Sequence, residues 1–249
     1  MGNNTLSVII LSRPDELLVE RAIVSVLWAD EVLVVVDSEP QEKVLVENIV
    51  DKYEVVMIRR KLLNDFSEQR NYALSQVKGD WVLFLDADEY IDASFKTEFQ
   101  RKSANYSHES YRVKRKDMFF DKQMKHGEMG TISLVRLGKK SKGSWQRPVH
   151  EVWEFTQPSK SFSSYIWHTP HQSLSSFLNK INRYTTLEAE YRKSQGEVFS
   201  LIKLMVYPLG KFVVNYLFKL GFLDGIEGFM VAYFMSLHSL IVRVKMYEG

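Results

Sequence analysis

Residues 81–90 read "WVLFLDADEY": a largely apolar run, then Asp86 and Asp88 with one small residue between them. The run predicts a strand buried on both faces. Two carboxylates held this close at a strand's mouth repel unless a cation lies between them. The pair therefore asks for a hard divalent metal, Mn2+ or Mg2+, and for whatever that metal carries.

Upstream of this strand the chain alternates. "LSVIILS" (6–12), "EVLVVVDSE" (31–39) and "EVVMIRR" (54–60) read as three more strands. Between them "PDELLVERAIVSVLW" spaces Leu18, Ala22 and Val26 four apart, with Pro14 and Asp15 suited to a helix start. "QEKVLVENIVDKY" predicts a second helix. "SEQRNYALSQVKG" (67–79) predicts a third, with Ser67 as its N-cap, acid early and glycine at its end. Alternating apolar strands and helices imply an α/β, Rossmann-like, mostly parallel sheet flanked by helices. Such sheets bind ligands beyond the carboxyl ends of their strands. Ser12, Asp37, Asp86 and Asp88 all fall at those ends.

Composition narrows the class. Of 249 residues, 45% are hydrophobic and 13% aromatic, which fits an ordered fold. A formal net charge of +2 argues against a general nucleic-acid binder. The absence of cysteine excludes disulfides and cysteine-ligated zinc, and it fits a reducing cytosol. "MGNNTLSVIILSRPDE" lacks a basic start and a long apolar core, so no secretion signal is expected, and Leu6 stands where a myristoylation site needs Ser or Thr.

Three readings of the aspartate pair compete. They could be turn residues before a helix starting near Asp92. They could be the nucleophile and acid/base of a haloacid-dehalogenase-like phosphatase, although Tyr90 stands where that motif wants Thr or Val. Or they could hold a cation on the diphosphate of a nucleotide-sugar, where the cation offsets charge on the leaving group.

"SVIILS", "WADEVLVVVDS", "SEQRNYALSQVKGDWVLFLDADE", "VHEVW" and "KINRYTTLEAE…GFLDGIEGF" together resemble glycosyltransferase family 2. More narrowly, they are similar to small bacterial enzymes akin to lipopolysaccharide-core β-1,4-glucosyltransferases. The resemblance implies a GT-A fold with a C-terminal helical extension, a UDP-sugar donor, inversion at the anomeric carbon, and Mn2+ or Mg2+. Ser12 and Asp37 match positions that contact uridine, and Arg70 matches an arginine near the nucleotide. Asp86 and Asp88 match the metal and diphosphate carboxylates. Two donor-side loops depart from the family: "RPDE" puts Pro14 where asparagine is common, and "DSEPQE" replaces "DSGSTD". That departure leaves a non-catalytic nucleotide-sugar-binding protein as an alternative.

An inverting transfer needs a general base for the acceptor hydroxyl. His150 and Glu151 in "RPVHEVW" are the best pair, and the resemblance gives the base to Glu151, with His150 supporting and Glu154 a decoy. His168 in "YIWHTPH" loosely matches a further metal ligand, with His171 second to it. Arg147 could meet a phosphate or an acidic acceptor, and "RVKRK" (112–116) reads as a solvated strand face.

Three segments are expected: residues 1–100 for the nucleotide-sugar, 101–195 for acceptor and base, and 196–249 as a basic apolar helical tail. In the tail Lys203, Lys211 and Lys219 recur every eight residues beside apolar neighbours, which suits a membrane interface. Its longest uncharged stretch, 228–242, has 15 residues, short of the roughly 20 that span a bilayer. The expected setting is cytoplasmic, peripheral on the inner face of the cell membrane, with a glycan or glycolipid acceptor. A homo-oligomer built through the tail is the alternative.

Overall fold

The computed structural model describes residues 4–103, 108–130, 132–169 and 173–248. They fall into two compact units: 1–115 with 133–168, and 116–132 with 169–249.

In the first unit the expected alternation is present. The chain runs β1 (Leu6–Ser12), α1 (Val19–Val26), β2 (Glu31–Val36), α2 (Val46–Lys52), β3 (Val56–Arg59), α3 (Phe66–Gln76) and β4 (Trp81–Asp86). It continues through β5 (Glu89–Ile91), α4 (Ala93–Ser103) and β6 (Ser110–Phe119). The second unit contributes β7 (Lys122–Gln123), after which β8 (Ile132–Lys139), β9 (Gly143–Gln146), β10 (Val152–Phe155) and β11 (Lys160–His168) follow.

The main sheet is ordered β3-β2-β1-β4-β8-β6-β11-β5. Strands β1 to β4 are parallel, and β8 then pairs antiparallel to β4. Alternation along each strand divides the core. Val8, Ile10, Leu83 and Leu85 pack with α1, α2 and α4 on one face. Ile9, Leu33, Val35 and Phe84 pack with α3 and with Trp145 and Trp153 of the β9–β10 hairpin on the other. Both faces are covered, which is why β1, β2 and β4 read as unbroken apolar runs. The fold is an α/β, GT-A-like mixed sheet with C-terminal helices.

Local expectations needed two corrections. The N-cap of α3 is Asp65, whose side chain accepts the Glu68 N–H; Ser67 lies inside the helix, where its hydroxyl donates to Asp65. An aspartate in extended backbone two residues earlier competes with the serine for the orphan amides, and it wins. Helix α1 begins at Val19, later than Pro14 and Asp15 suggested.

The second unit is helical. It comprises α5 (Leu174–Ser194), α6 (Leu201–Val213) and α7 (Gly225–Glu248), with a π-helical turn, Val214–Phe218, and a 3-10 turn, Gly221–Asp224, between α6 and α7. Its core gathers Phe119, Met124, Phe177, Ile181 and Val231. The tail is stitched to residues 116–132. Asp224 accepts from the N–H groups of Lys125 and His126 and pairs with the His126 ring at 2.9 Å. Lys211 pairs with Glu128 at 2.7 Å. Two helical stretches, Leu201–Phe218 and Gly221–Glu248, are long and apolar enough to cross a membrane by length and composition alone. The uncharged stretch 228–242 lies inside α7, and lysines at a helix flank do not break an apolar face.

Candidate active site

The site stands at the carboxyl ends of β1, β2 and β4. Ser12 ends β1, and its backbone carbonyl accepts the Asp37 N–H at 2.9 Å just past β2. Asp37 Oδ1 in turn accepts the Leu62 N–H at 2.8 Å. The structure therefore brings these two residues side by side at the strand ends.

Helix α3 supplies the next element, and every residue of its "EQRN" stretch is partnered. Glu68 and Gln69 bind Arg60. Asn71 exchanges hydrogen bonds with the backbone of Trp145, at 2.8 Å each way. Arg70, only 3% exposed, reaches into the site. Its Nη2 lies 2.8 Å from Asp86 Oδ1, and its Nε and Nη2 lie 2.9 and 2.8 Å from Glu151 Oε1. The guanidinium also sits over the Trp145 ring, 4.7 Å from its centre.

Asp86 is shared between two arginines, with Arg136 Nη2 at 2.8 Å from Oδ2. Burial works against its charge. Arg136 and Arg70 outweigh that, with a smaller opposing push from Asp88, and hold its carboxyl well below the usual carboxylate range. Arg136 in turn is raised above its ordinary value, against burial, by Asp86, Glu89 and Glu151.

Asp88 takes a different partner. Strand β11 pairs with β5 so that His168 stands opposite Glu89, and His168 Nε2 comes to 3.4 Å from Asp88 Oδ2. Asp88 and His168 are thus together, while Asp86 is engaged by arginines. Among the described residues no group of three or more His, Asp or Glu side chains could hold a metal. A carboxylate–imidazole pair suits a cation that brings further oxygen ligands from a bound diphosphate and water, not one caged by protein alone. His171 lies outside the described residues.

Glu151 follows a strained loop, with Arg147 at φ 70° and His150 at φ 55°. Both residues are exposed. Left-handed conformations in such residues cluster at functional sites. The Pro148 carbonyl anchors this loop to the start of α3 by accepting the Phe66 N–H. Glu154, on β10, points to solvent.

Arg115, read in sequence as part of a solvated face, is half-buried and pairs with Glu89 at 3.3 Å. Glu89 and Arg136 escaped sequence reading altogether. The one available signal was a lone arginine inside the apolar strand "TISLVRL".

The chain matches the family described as Glycosyl transferase family 2 over residues 7–155. An uncharacterized glycosyltransferase of Rickettsia typhi is 22% identical over 256 residues, covering 98% of this chain and 87% of that protein. Among solved structures, S. aureus TarS is 14% identical with a TM-score of 0.49, covering 96% of this chain, which spans 55% of that chain. A TarS 1–349 structure in complex with UDP-GlcNAc is 13% identical with a TM-score of 0.46, covering 95% of this chain and 81% of that one.

Proposed function

Because the chain belongs to glycosyltransferase family 2, we propose that it moves a hexose from a UDP-sugar to a hydroxyl of a lipid-linked or lipopolysaccharide-type glycan, with inversion. Membership of this family takes the place of the phosphatase reading. The observation that carries the finer proposal is the division of labour around the aspartate pair: Asp88 with His168, Asp86 with two arginines, and Glu151 on one of those same arginines.

In this reading Ser12 and Asp37 receive the nucleoside at the ends of β1 and β2. Asp88 and His168 would hold Mn2+ or Mg2+, with Asp86 beside them. The metal, when bound, offsets charge on the departing diphosphate. Asp86 and Arg70 orient the donor. Glu151 takes the proton from the acceptor hydroxyl as it attacks the sugar from the face opposite the leaving group. Both Arg70 contacts fall on Oε1, which leaves Oε2 as the oxygen to accept that proton. His150 and Arg147, exposed on the strained loop, lie where an acceptor can meet them.

The setting proposed is the inner face of the cell membrane. The outward side of α6 supports it: Leu201, Ile202, Met205, Val206 and Leu209 are all exposed. Contiguous apolar side chains left open on one helix face mark a surface that meets a membrane or another protein.

The test of the proposed function is a nucleotide-sugar screen that follows metal-dependent hydrolysis and thermal stabilisation, with Asp88→Ala as control. Stabilisation by UDP that needs Mn2+ or Mg2+ and disappears in Asp88→Ala is expected. Full activity in excess chelator, or in Asp88→Ala, would defeat the metal reading.

A further inference from the structure

Asp86 is held from three directions. Glu89 Oε2 accepts its backbone N–H at 3.1 Å, Arg70 takes Oδ1, and Arg136 takes Oδ2. Arg136 is itself held: its Nη2 lies 3.3 Å from Glu89 Oε1, which also takes Arg115. Glu89 is fully enclosed, and the Arg136 side chain is 6% exposed. The set balances three arginines (Arg70, Arg115, Arg136) against three carboxylates (Asp86, Glu89, Glu151).

Such a cluster is a poor device for stability alone. Taking charges out of water is costly, and well-packed apolar replacements of buried ion pairs are often as stable. Arg136 also leaves its Nε buried without a hydrogen-bond partner among the described residues, a further cost. What the arrangement does achieve is orientation. The terminal torsion of an aspartate is broad and roughly two-fold, so its rotamer does not fix the carboxylate plane. One donor on each oxygen does.

We propose that Arg136 is a positioning residue for glycosyl transfer, acting through Asp86: it fixes the direction of the carboxylate that the donor meets, and Glu89 in turn aims Arg136. This rests on the reading above that Asp86 contacts the donor. In this role Arg136 works through its contacts to Asp86 and Glu89 and not on the substrate itself. Both of its contacts fall on a single nitrogen, Nη2, so a lysine ammonium can serve the same two acceptors where an apolar side chain of similar length cannot.

The experiment is UDP binding by calorimetry in Mn2+ for the wild type, Arg136→Met, Arg136→Lys, Asp86→Asn and the double variant Arg136→Met/Asp86→Asn. Folding of each is checked by circular dichroism and melting. Outer-shell partners of functional groups typically contribute 10–100-fold, so Arg136→Met should weaken UDP binding by about that factor. Arg136→Lys should recover to within about threefold of wild type, since the charge and both acceptors are kept. The double variant should bind no worse than Asp86→Asn by more than about twofold, because coupled residues are not additive. Wild-type affinity in Arg136→Met, or losses that simply add in the double variant, would overturn the proposal. If Arg136→Met does not fold, Glu89→Gln replaces it; a several-fold loss that vanishes in the Asp86→Asn background supports the proposal, and unchanged binding overturns it. A wild type that binds no UDP under any metal would instead defeat the donor reading on which the inference stands.

Discussion

Arg70 and Glu151 meet on a single oxygen: both Nε, at 2.9 Å, and Nη2, at 2.8 Å, contact Oε1. The same Nη2 lies 2.8 Å from Asp86 Oδ1. One buried guanidinium therefore ties the carboxylate proposed as base to the carboxylate proposed to meet the donor. Substituting Arg70→Met would leave two carboxylates short of a partner. Breaking a fully buried pair costs about 3–5 kcal/mol; here both carboxylates keep some access to water and Arg136 still holds Asp86, so a loss of about 2 kcal/mol is expected from that range. Urea unfolding of wild type and variant measures it, and an unchanged midpoint would show that the link carries no stability.

Glu151→Gln separates the two ends of that link. Glutamine keeps the size and can still accept from Arg70, but it cannot take a proton. UDP affinity should stay near wild type while transfer falls by roughly 10²–10⁴-fold, the usual worth of general base catalysis. Asp88→Ala should instead lose nucleotide binding and transfer together. An α-linked donor should also give a β-linked product. Transfer at the wild-type rate in Glu151→Gln, or a product that retains configuration, would make Glu151 structural.

The parallel half of the fold was legible because strands buried on both faces leave an unmistakable record: "SVIIL", "VLVVV" and "VLFL" became β1, β2 and β4. The aspartate pair was legible as a pair, but its two partners were not. Whether Asp86 faces arginines or a metal depends on β8 and on α3, which lie 50 residues after it and 16 before it. Arg136 and Arg115 looked like ordinary strand residues because alternation tells which side a residue faces, not whether a carboxylate waits there. Likewise nothing local to 116–132 says that His126 and Glu128 bind Asp224 and Lys211.

A pH dependence of stability follows from Glu98. This α4 carboxylate accepts the N–H groups of Ser163 and Ser164 and the Ser164 hydroxyl on β11, and pairs with Lys102 at 2.6 Å. Burial pushes its pKa up, but Lys102 and the serine donors together hold it down, from 4.5 to about 2. A carboxyl depressed in the folded state adds stability above its unfolded pKa and loses it as pH falls through the folded one. Discounted for solvent screening, the contribution is about 2 kcal/mol at neutral pH. It should be complete above about pH 5 and decline steadily toward pH 2. Denaturant titrations of wild type and Glu98→Gln across this range should converge as the solution acidifies. A gap that stays constant with pH would remove the linkage.

The last prediction concerns α6. Of the three tail lysines whose spacing suits anionic headgroups, the two on α6 are occupied: Lys203 with Glu197 at 2.8 Å and Lys211 with Glu128 at 2.7 Å. The outward face itself is apolar, so attachment to a bilayer should be driven by burial of Leu201, Ile202, Met205 and Leu209, with little help from charge. Burying one such side chain fully is worth about 1.5–3 kcal/mol, and partial burial in an interface less. Full-length protein should therefore sediment with phospholipid vesicles and stay bound at high salt, where a purely electrostatic contact would be screened. The triple variant Ile202→Asp, Met205→Asp, Leu209→Asp should move at least tenfold toward the supernatant while its melting temperature holds, because all three side chains already face outward. Protein that ignores vesicles but runs as a dimer in light scattering, and becomes a monomer in the triple variant, would show instead that a second copy covers this face.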